Sequence, residues 1–137
     1  MERVVGIGGV FLRSSDPEGL RAWYEANLGI TISEWGGNVF VAEAGDATVW
    51  SIFPGETEYW PAEQQTMVNY RVRDLDAMLA QLRDAGAEVD ERVEEQEFGR
   101  FGWAVEPRRQ PLRALGAAYA VVSRISSEPA RVTTQPS

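Results

Sequence analysis

Val10 and Leu12 alternate with Phe11 and Arg13 near the start of the chain, and a period of two predicts a strand with one face buried. The period then changes. Leu20, Trp23, Tyr24 and Leu28 recur at spacings of three and four, which puts them on one face of a helix. Asp16 is a good N-cap, Pro17 suits the first helical position, Glu18 meets the positive helix end, and Gly29 suits a left-handed stop. The same succession returns 58 positions later, with Asp74 in the slot of Asp16. There Val68, Tyr70 and Val72 alternate, Leu75, Met78, Leu79 and Leu82 form the stripe, and Gly86 ends it. Each copy is too small to bury its own face, so the two should pair and leave a cleft between them that admits a small molecule.

Sequence rich in strand-forming residues follows each helix. After the first come residues 30–35, a turn at Gly36-Gly37, residues 38–44, a turn at Gly45-Asp46, and residues 48–53. After the second come residues 88–93 and 98–105, with a turn between. Pro54 and Pro61 fall in a stretch without a period, which reads as a linker. The expectation is one α+β domain in which two βαβββ modules form a cupped mixed sheet. Module one spans 1–54, the linker 55–65 and module two 66–107.

Composition narrows the chemistry. The chain is 44% hydrophobic, enough for a core, and has no apolar run long enough to cross a membrane. Met1-Glu2-Arg3 is not followed by the apolar stretch of a secretory signal, so a cytoplasmic location is expected. There is no cysteine and no histidine, which excludes disulfides, thiolate metal sites and the Ser-His-Asp and Cys-His nucleophiles. There is no lysine either; every positive side chain is arginine, so neither a Schiff base nor a P-loop lysine is available. Gly8-Gly9 does not open a GxGxxG turn. The net charge of −8 argues against nucleic acid and anionic membranes as partners. Residues 1–106 hold 8 Arg against 20 Asp and Glu, whereas residues 107–137 hold 5 Arg against 1 Glu. The style of the sequence therefore changes at Pro107.

The run IGGVFLRSSDPEGLRAWYEANLGI, followed by VWSIFPGETEYW, NYRVRDLDAMLAQLRDAGAEV and FGRFGWAVEP, resembles the vicinal oxygen chelate superfamily over roughly residues 4–107. That group contains glyoxalases, bleomycin-resistance proteins and extradiol dioxygenases, so the resemblance speaks to fold more than to activity. It implies paired modules forming a cup, often completed by dimerisation, and hence a homodimer. It also implies a divalent metal held by two histidines, one on the first strand of each module, and a late glutamate. Here the two histidine slots are Gly9 and Met67, and only Glu106-Pro107 remains where the turn before the last strand should begin. Glycine offers no ligand and a thioether is a poor one for the usual metals. No metal site and no cofactor are therefore expected. Members lacking the metal bind hydrophobic or drug-like ligands.

The break after Pro107 can be stated in codons. RRQPLRALGA can be encoded so that reading one base later yields DGNPSELWE, the turn and last strand that the resemblance implies. On this reading residues 108–137 are a divergent segment from a shifted frame; a genuine divergent tail is the alternative. Codons unable to give DGNPSELWE in the other frame would refute the first. Residues 117–125 are apolar enough for a strand or short helix, and disorder is expected from about 126.

Alternation turns Gly9, Phe11 and Arg13 of the first strand, and Met67, Asn69 and Arg71 of its counterpart, toward the cup. Trp35, Phe40, Trp50, Phe53, Tyr59, Trp60, Phe98, Phe101 and Trp103 supply flat apolar area. The expected ligand-binding set is Phe11, Trp50, Met67, Asn69, Arg71, Phe101 and Trp103, with Ser51 as a further polar group. Arg100, between Gly99 and Phe101, is read either as meeting an anionic group or as pairing with the acidic run at 94–97. The carboxylates Asp90, Glu91, Glu94, Glu95 and Glu97 read as a solvated hairpin. These observations predict a metal-independent small-molecule binding protein of the glyoxalase/bleomycin-resistance type, holding an aromatic or amphipathic ligand. The alternative is a glyoxalase-like lyase or dioxygenase-type enzyme with an unusual carboxylate metal site, Glu43 and Glu106 being its candidates and Tyr70 a conceivable acid–base group.

Overall fold

The computed structural model of the chain describes residues 1–97 and 99–116. Phe98, and the expectations for residues 117–125 and from about 126 onward, lie outside the described residues. Helix α1 spans Pro17–Leu28 and α2 spans Leu75–Asp84. Each begins as its sequence dictates. The Asp16 carboxylate accepts from the Gly19 N–H at 3.0 Å, and that of Asp74 from the Ala77 N–H at 3.0 Å, satisfying donors that helix geometry leaves open. Gly29 and Gly86, at φ of 69° and 85°, turn the chain out of the helices.

Five strands follow one another in the second half. They are β1 (Asn69–Arg71), β2 (Glu88–Val89), β3 (Glu94–Gln96), β4 (Gly99–Val105) and β5 (Pro111–Gly116). The sheet order is β1-β5-β4-β2, with β3 also on β4. β1 runs parallel to β5, and the other pairs are antiparallel. Glu88 and Val89 face Val105 and Ala104, while Glu94 to Gln96 face Phe101 to Gly99. β2 and β3 are thus one edge strand interrupted in its middle, and module two is a βαβββ unit.

Both helices cover one face of this sheet. Leu20, Tyr24 and Leu28 of α1 meet Leu82 of α2 over Ala104 and Leu112; Leu75 and Leu79 close over Ala114. α2 lies close enough that a Cβ on Gly102 would stand 2.9 Å from the Leu79 methyls, so glycine there sets the spacing between layers. Among the described residues no helix is long and apolar enough to cross a membrane.

Two features differ from the sequence reading. First, the segment from 108 to 116, set apart as divergent, supplies the β4–β5 turn and a central strand. It does so because Leu112, Ala114 and Gly116 alternate with Arg113 and Leu115 and match the pleat. This strand occupies the place that the alternate reading frame would also fill with a strand. Second, the repeat extends to helices, caps and turns but not to ladders. Gly36 and Gly45 make their turns at φ of 95° and 91°, closed by Ser33 N–H to Gly37 O at 2.9 Å and Asp46 N–H to Glu43 O at 3.0 Å. No described residue before Asn69 belongs to a strand, and Val10, Phe11, Trp35, Phe40 and Trp50 are exposed. A strand forms only against a neighbour that takes its backbone groups, and the sheet of module two is complete without them.

Candidate functional site

The sheet face turned away from the helices carries the candidate site. Along β4, Gly102 and Ala104 point to the helices, so Phe101 and Trp103 point the other way. Along β5, Leu112 and Ala114 take the helix side and Arg113 the opposite one. Along β1, Tyr70 packs on Tyr24, which leaves Asn69 and Arg71 on the far face. Register aligns these choices: Asn69 lies opposite Arg113, and Arg113 opposite Trp103. Asn69, Arg113 and Trp103 therefore form one row across three strands.

That row is buried at Arg113 and Trp103, half-buried at Asn69, and incompletely satisfied. Trp103 is 4% exposed, Arg113 5% and Phe101 1%. Among the described residues Asn69 Oδ1, Arg113 Nε and Trp103 Nε1 have no hydrogen-bond partner, although buried polar atoms are nearly always paired. The Arg113 guanidinium lies 4.2 Å from the Phe101 ring centre and 6.0 Å from that of Tyr59. Burial holds it below the ordinary arginine range.

The linker folds over this row. Phe53 meets Tyr59 and Trp60 at ring-centre distances of 5.5 and 5.0 Å, and Tyr59 meets Trp103 at 6.0 Å. The Tyr59 hydroxyl donates to Glu94 at 2.9 Å, and Trp60 Nε1 donates to the Gln64 carbonyl at 2.9 Å. Arg92 stacks on Trp103, 4.1 Å from the ring centre. Between linker and sheet lies a cavity of about 570 Å³, lined by Tyr59, Trp60, Pro61, Arg92, Trp103 and Val105 among others. Its size and its aromatic walls suit a small organic molecule.

A smaller cavity of about 250 Å³ lies where the N-terminal segment meets module two, bounded by Phe11, Arg13, Tyr24, Glu106 and Arg108. Two of its charged groups are matched with each other. The Glu106 carboxylate accepts from the backbone N–H, Nε and Nη2 of Arg108, and Arg108 Nη1 donates to the Arg13 carbonyl at 3.1 Å. This pair ties the N-terminal segment to the β4–β5 turn.

Of the residues expected from sequence, the structure brings Asn69, Phe101 and Trp103 together. Arg71 shares their face but reaches sideways, to Asp46 at 3.4 Å and the Ala47 carbonyl at 2.8 Å. Met67 is half-buried just ahead of β1. Phe11, 94% exposed, and Trp50, 73% exposed, stand apart from the row, since the strands meant to carry them are unpaired. Arg100 lies on the helix side and holds both Asp76 oxygens at 3.1 and 3.2 Å. It thus pairs across to α2, where neither sequence reading put it, and its guanidinium keeps the Asp76 carboxyl below the usual range. Arg113 was missed because the boundary at Pro107 removed its strand; the alternation in PLRALG was the available signal. Arg92 was hidden among the acidic residues around it.

Burial raises the phenols of Tyr24, Tyr70 and Tyr59 above the ordinary tyrosine range. An unfolded chain sheds these protons near pH 10 while the folded chain keeps them. Stability should therefore be intact below about pH 10 and fall as pH rises beyond it. Spectroscopic titration of tyrosinate in the folded protein should show most of the absorbance rising only together with alkaline unfolding. Full titration at about pH 10 with the fold intact would contradict this.

In sequence, no family model and no curated protein matches the chain. Solved structures do. A glyoxylase/bleomycin resistance protein/dioxygenase domain from Frankia sp. EAN1pec superposes at a TM-score of 0.51, with 17% identity over 85% of this chain and 95% of that one. TnmS3, an antibiotic binding protein from Streptomyces sp. CB03234, superposes at 0.50, with 18% identity over 84% of this chain and all of that one (100%). The fold is of the glyoxalase/bleomycin-resistance type. A glyoxalase family protein from Enterococcus faecalis is 20% identical over 46% of this chain, which spans about half (51%) of that protein's length; at a TM-score of 0.36 that likeness carries no argument.

The three positions where the sequence resemblance implies metal ligands do not fit a metal. Gly9 has no donor atom, Met67 offers a thioether, and Glu106 is engaged by Arg108. Among the described residues no group of three or more His, Cys, Asp or Glu is placed to hold an ion.

Proposed function

We propose that the protein binds a small aromatic or amphipathic molecule, without a metal, on the aromatic face of its sheet. One observation carries this reading: three adjacent side chains, the buried Arg113 and Trp103 and the half-buried Asn69, each keep a covered polar atom without a partner among the described residues, beside an aromatic cavity. Unmet buried donors and acceptors are costly, and a ligand that meets them recovers that cost. The antibiotic-binding role of TnmS3, which has the same fold, supports a binding role here. The protein acts in the cytoplasm on this reading, and its partners are a small molecule and a second copy of itself, with no nucleic acid and no membrane.

The second copy completes the cup. Phe11, Phe40, Trp50 and Ile52 present apolar surface on extended backbone, and β1 is a sheet edge. Exposed apolar area of this kind with free strand edges is a site of association. Sedimentation should find a dimer, and Phe11→Asp combined with Trp50→Asp should make it a monomer; a monomeric wild type would remove this part of the reading.

Elemental analysis of the purified protein, with tryptophan fluorescence recorded on the same sample, tests the main proposal. Metal should be substoichiometric, and aromatic compounds should quench the fluorescence saturably. Trp103→Leu should remove most of that response. One metal per chain would overturn the metal-free reading and favour an enzyme with carboxylate ligands.

A further inference from the structure

We infer that the molecule bound on this face is a planar aromatic acid whose carboxylate is met by Arg113. The inference rests on the binding reading above and specifies its ligand. The chain is strongly acidic, at −8, yet the face in question presents Arg71, Arg92 and Arg113. Two of these are matched within the protein. Arg71 pairs with Asp46 at 3.4 Å, and Arg92 with Glu94 at 3.6 Å. Arg113 is the most buried of the three, and among the described residues no carboxylate lies within ion-pairing distance of it.

The nearby acid is already committed. Glu94 accepts from the Tyr59 hydroxyl at 2.9 Å and from Gln96 Nε2 at 3.1 Å, besides its contact with Arg92. The Arg113 guanidinium meets ring surface from Phe101 and Tyr59, with the Tyr59 hydroxyl and the Glu94 charge acting on it from beyond, and its Nε keeps no partner among the described residues. Aromatic faces attract a cation, but they give its Nε–H no acceptor, and a buried charge is stable only when paired and hydrogen-bonded. The missing partner is an anion.

The neighbours define the rest of the ligand. Trp103 Nε1 is a second unpaired donor on the same row, so an acidic group set between Arg113 and Trp103 receives two hydrogen bonds. Asn69 Oδ1, on the other side of Arg113, is an unpaired acceptor that suits a ligand hydroxyl or amine. The rings of Tyr59, Trp60 and Trp103 bound a space suited to a flat body. Tyr59 both walls the cavity and covers Arg113. Its ring must turn aside for the acid to arrive, at the cost of its bond to Glu94.

Titration of tryptophan fluorescence with 2-naphthoate and with its neutral counterpart 2-naphthylmethanol, at neutral pH on the full chain, tests this. The wild type should bind 2-naphthoate at least about tenfold more tightly, the scale of one charge-assisted hydrogen bond. Arg113→Met should abolish that preference, bringing its affinities for the two probes within about twofold of each other. Arg113→Lys keeps the charge without the planar fork and should retain part of the preference. Equal affinity of the wild type for both probes would overturn the inference and leave the binding reading standing. A preference that survives in Arg113→Met would overturn it too, placing the acid on another arginine. Failure of the wild type to bind either probe would overturn both. The wild-type comparison decides by itself if the variants do not fold.

Discussion

Truncating Leu82 to alanine should lower the unfolding free energy by about 3–4 kcal/mol, near the middle of the range for buried leucines. Leu82 is 0% exposed and sits where both helices meet the sheet, among Leu20, Tyr24, Leu28, Ala104 and Leu112. All five of those neighbours belong to other elements, α1, β4 and β5, so the space left by the lost methyls cannot close without moving a helix or a strand. The transfer term alone is about 2 kcal/mol, and the unfilled cavity adds the rest. Chemical denaturation reads the loss as a lower midpoint at unchanged slope. Phe11→Ala is the informative contrast. Its side chain is exposed in the single chain, so its effect should stay within about 0.5 kcal/mol for the monomer. If a second copy covers it, the loss should grow with protein concentration. A Leu82→Ala variant within about 1 kcal/mol of wild type would show that α1 and α2 do not share a core over the sheet.

Glu106→Ala should cost about 3 kcal/mol, at the lower end for a broken buried ion pair. Glu106 is 2% exposed and closes the β4–β5 turn in two ways. Its carboxylate receives the backbone N–H, Nε and Nη2 of Arg108. Its backbone donates to Gln110 O at 3.0 Å and accepts from Arg109 N–H at 2.8 Å. The turn also holds Arg109 at a φ of 63°, a conformation that costs a non-glycine residue about 1–2 kcal/mol. Removing the carboxylate leaves that strain less opposed and frees Arg108 from Arg13, so the N-terminal segment should loosen as well. Glu106→Gln keeps the shape and one acceptor and should lose only about half as much. Denaturant midpoints order the three proteins, and hydrogen exchange at 108–113 locates the loss. If Glu106→Ala proves neutral, the ion pair is a surface contact and the β4–β5 turn holds itself.

The two α-helices were legible in detail, down to Asp16 and Asp74 as caps and Gly29 and Gly86 as stops. The glycine turns at 36 and 45 were legible too. So were Phe101, Trp103 and Asn69 as residues of one face, because alternation on β4 and β1 shows directly in the sequence. Arg113 was not legible as their neighbour. It lies 44 positions after Asn69, in a segment whose style departs from what precedes it, and only the parallel pairing of β1 with β5 sets the two side by side. The pairing of Arg100 with Asp76 was not legible for a related reason. Its face could be assigned by alternation, but α2 had to be docked before Asp76 became its partner.

The division follows the range of the forces. Caps, stops, turns and amphipathic stripes are decided within about four residues, by donors left open at helix ends and by the conformational freedom of glycine; the sequence alone determined these, together with the α+β class and the absence of the histidine, cysteine and lysine chemistries. Strand pairing is decided by whichever backbone offers its groups, and that depends on segments far apart. Only the tertiary structure therefore showed that module two closes its sheet with Pro111–Gly116, that the described strand segments of module one stand unpaired in a single chain, and that the linker's tyrosine and tryptophan wall a cavity beside a buried arginine that has no ion-pair partner among the described residues.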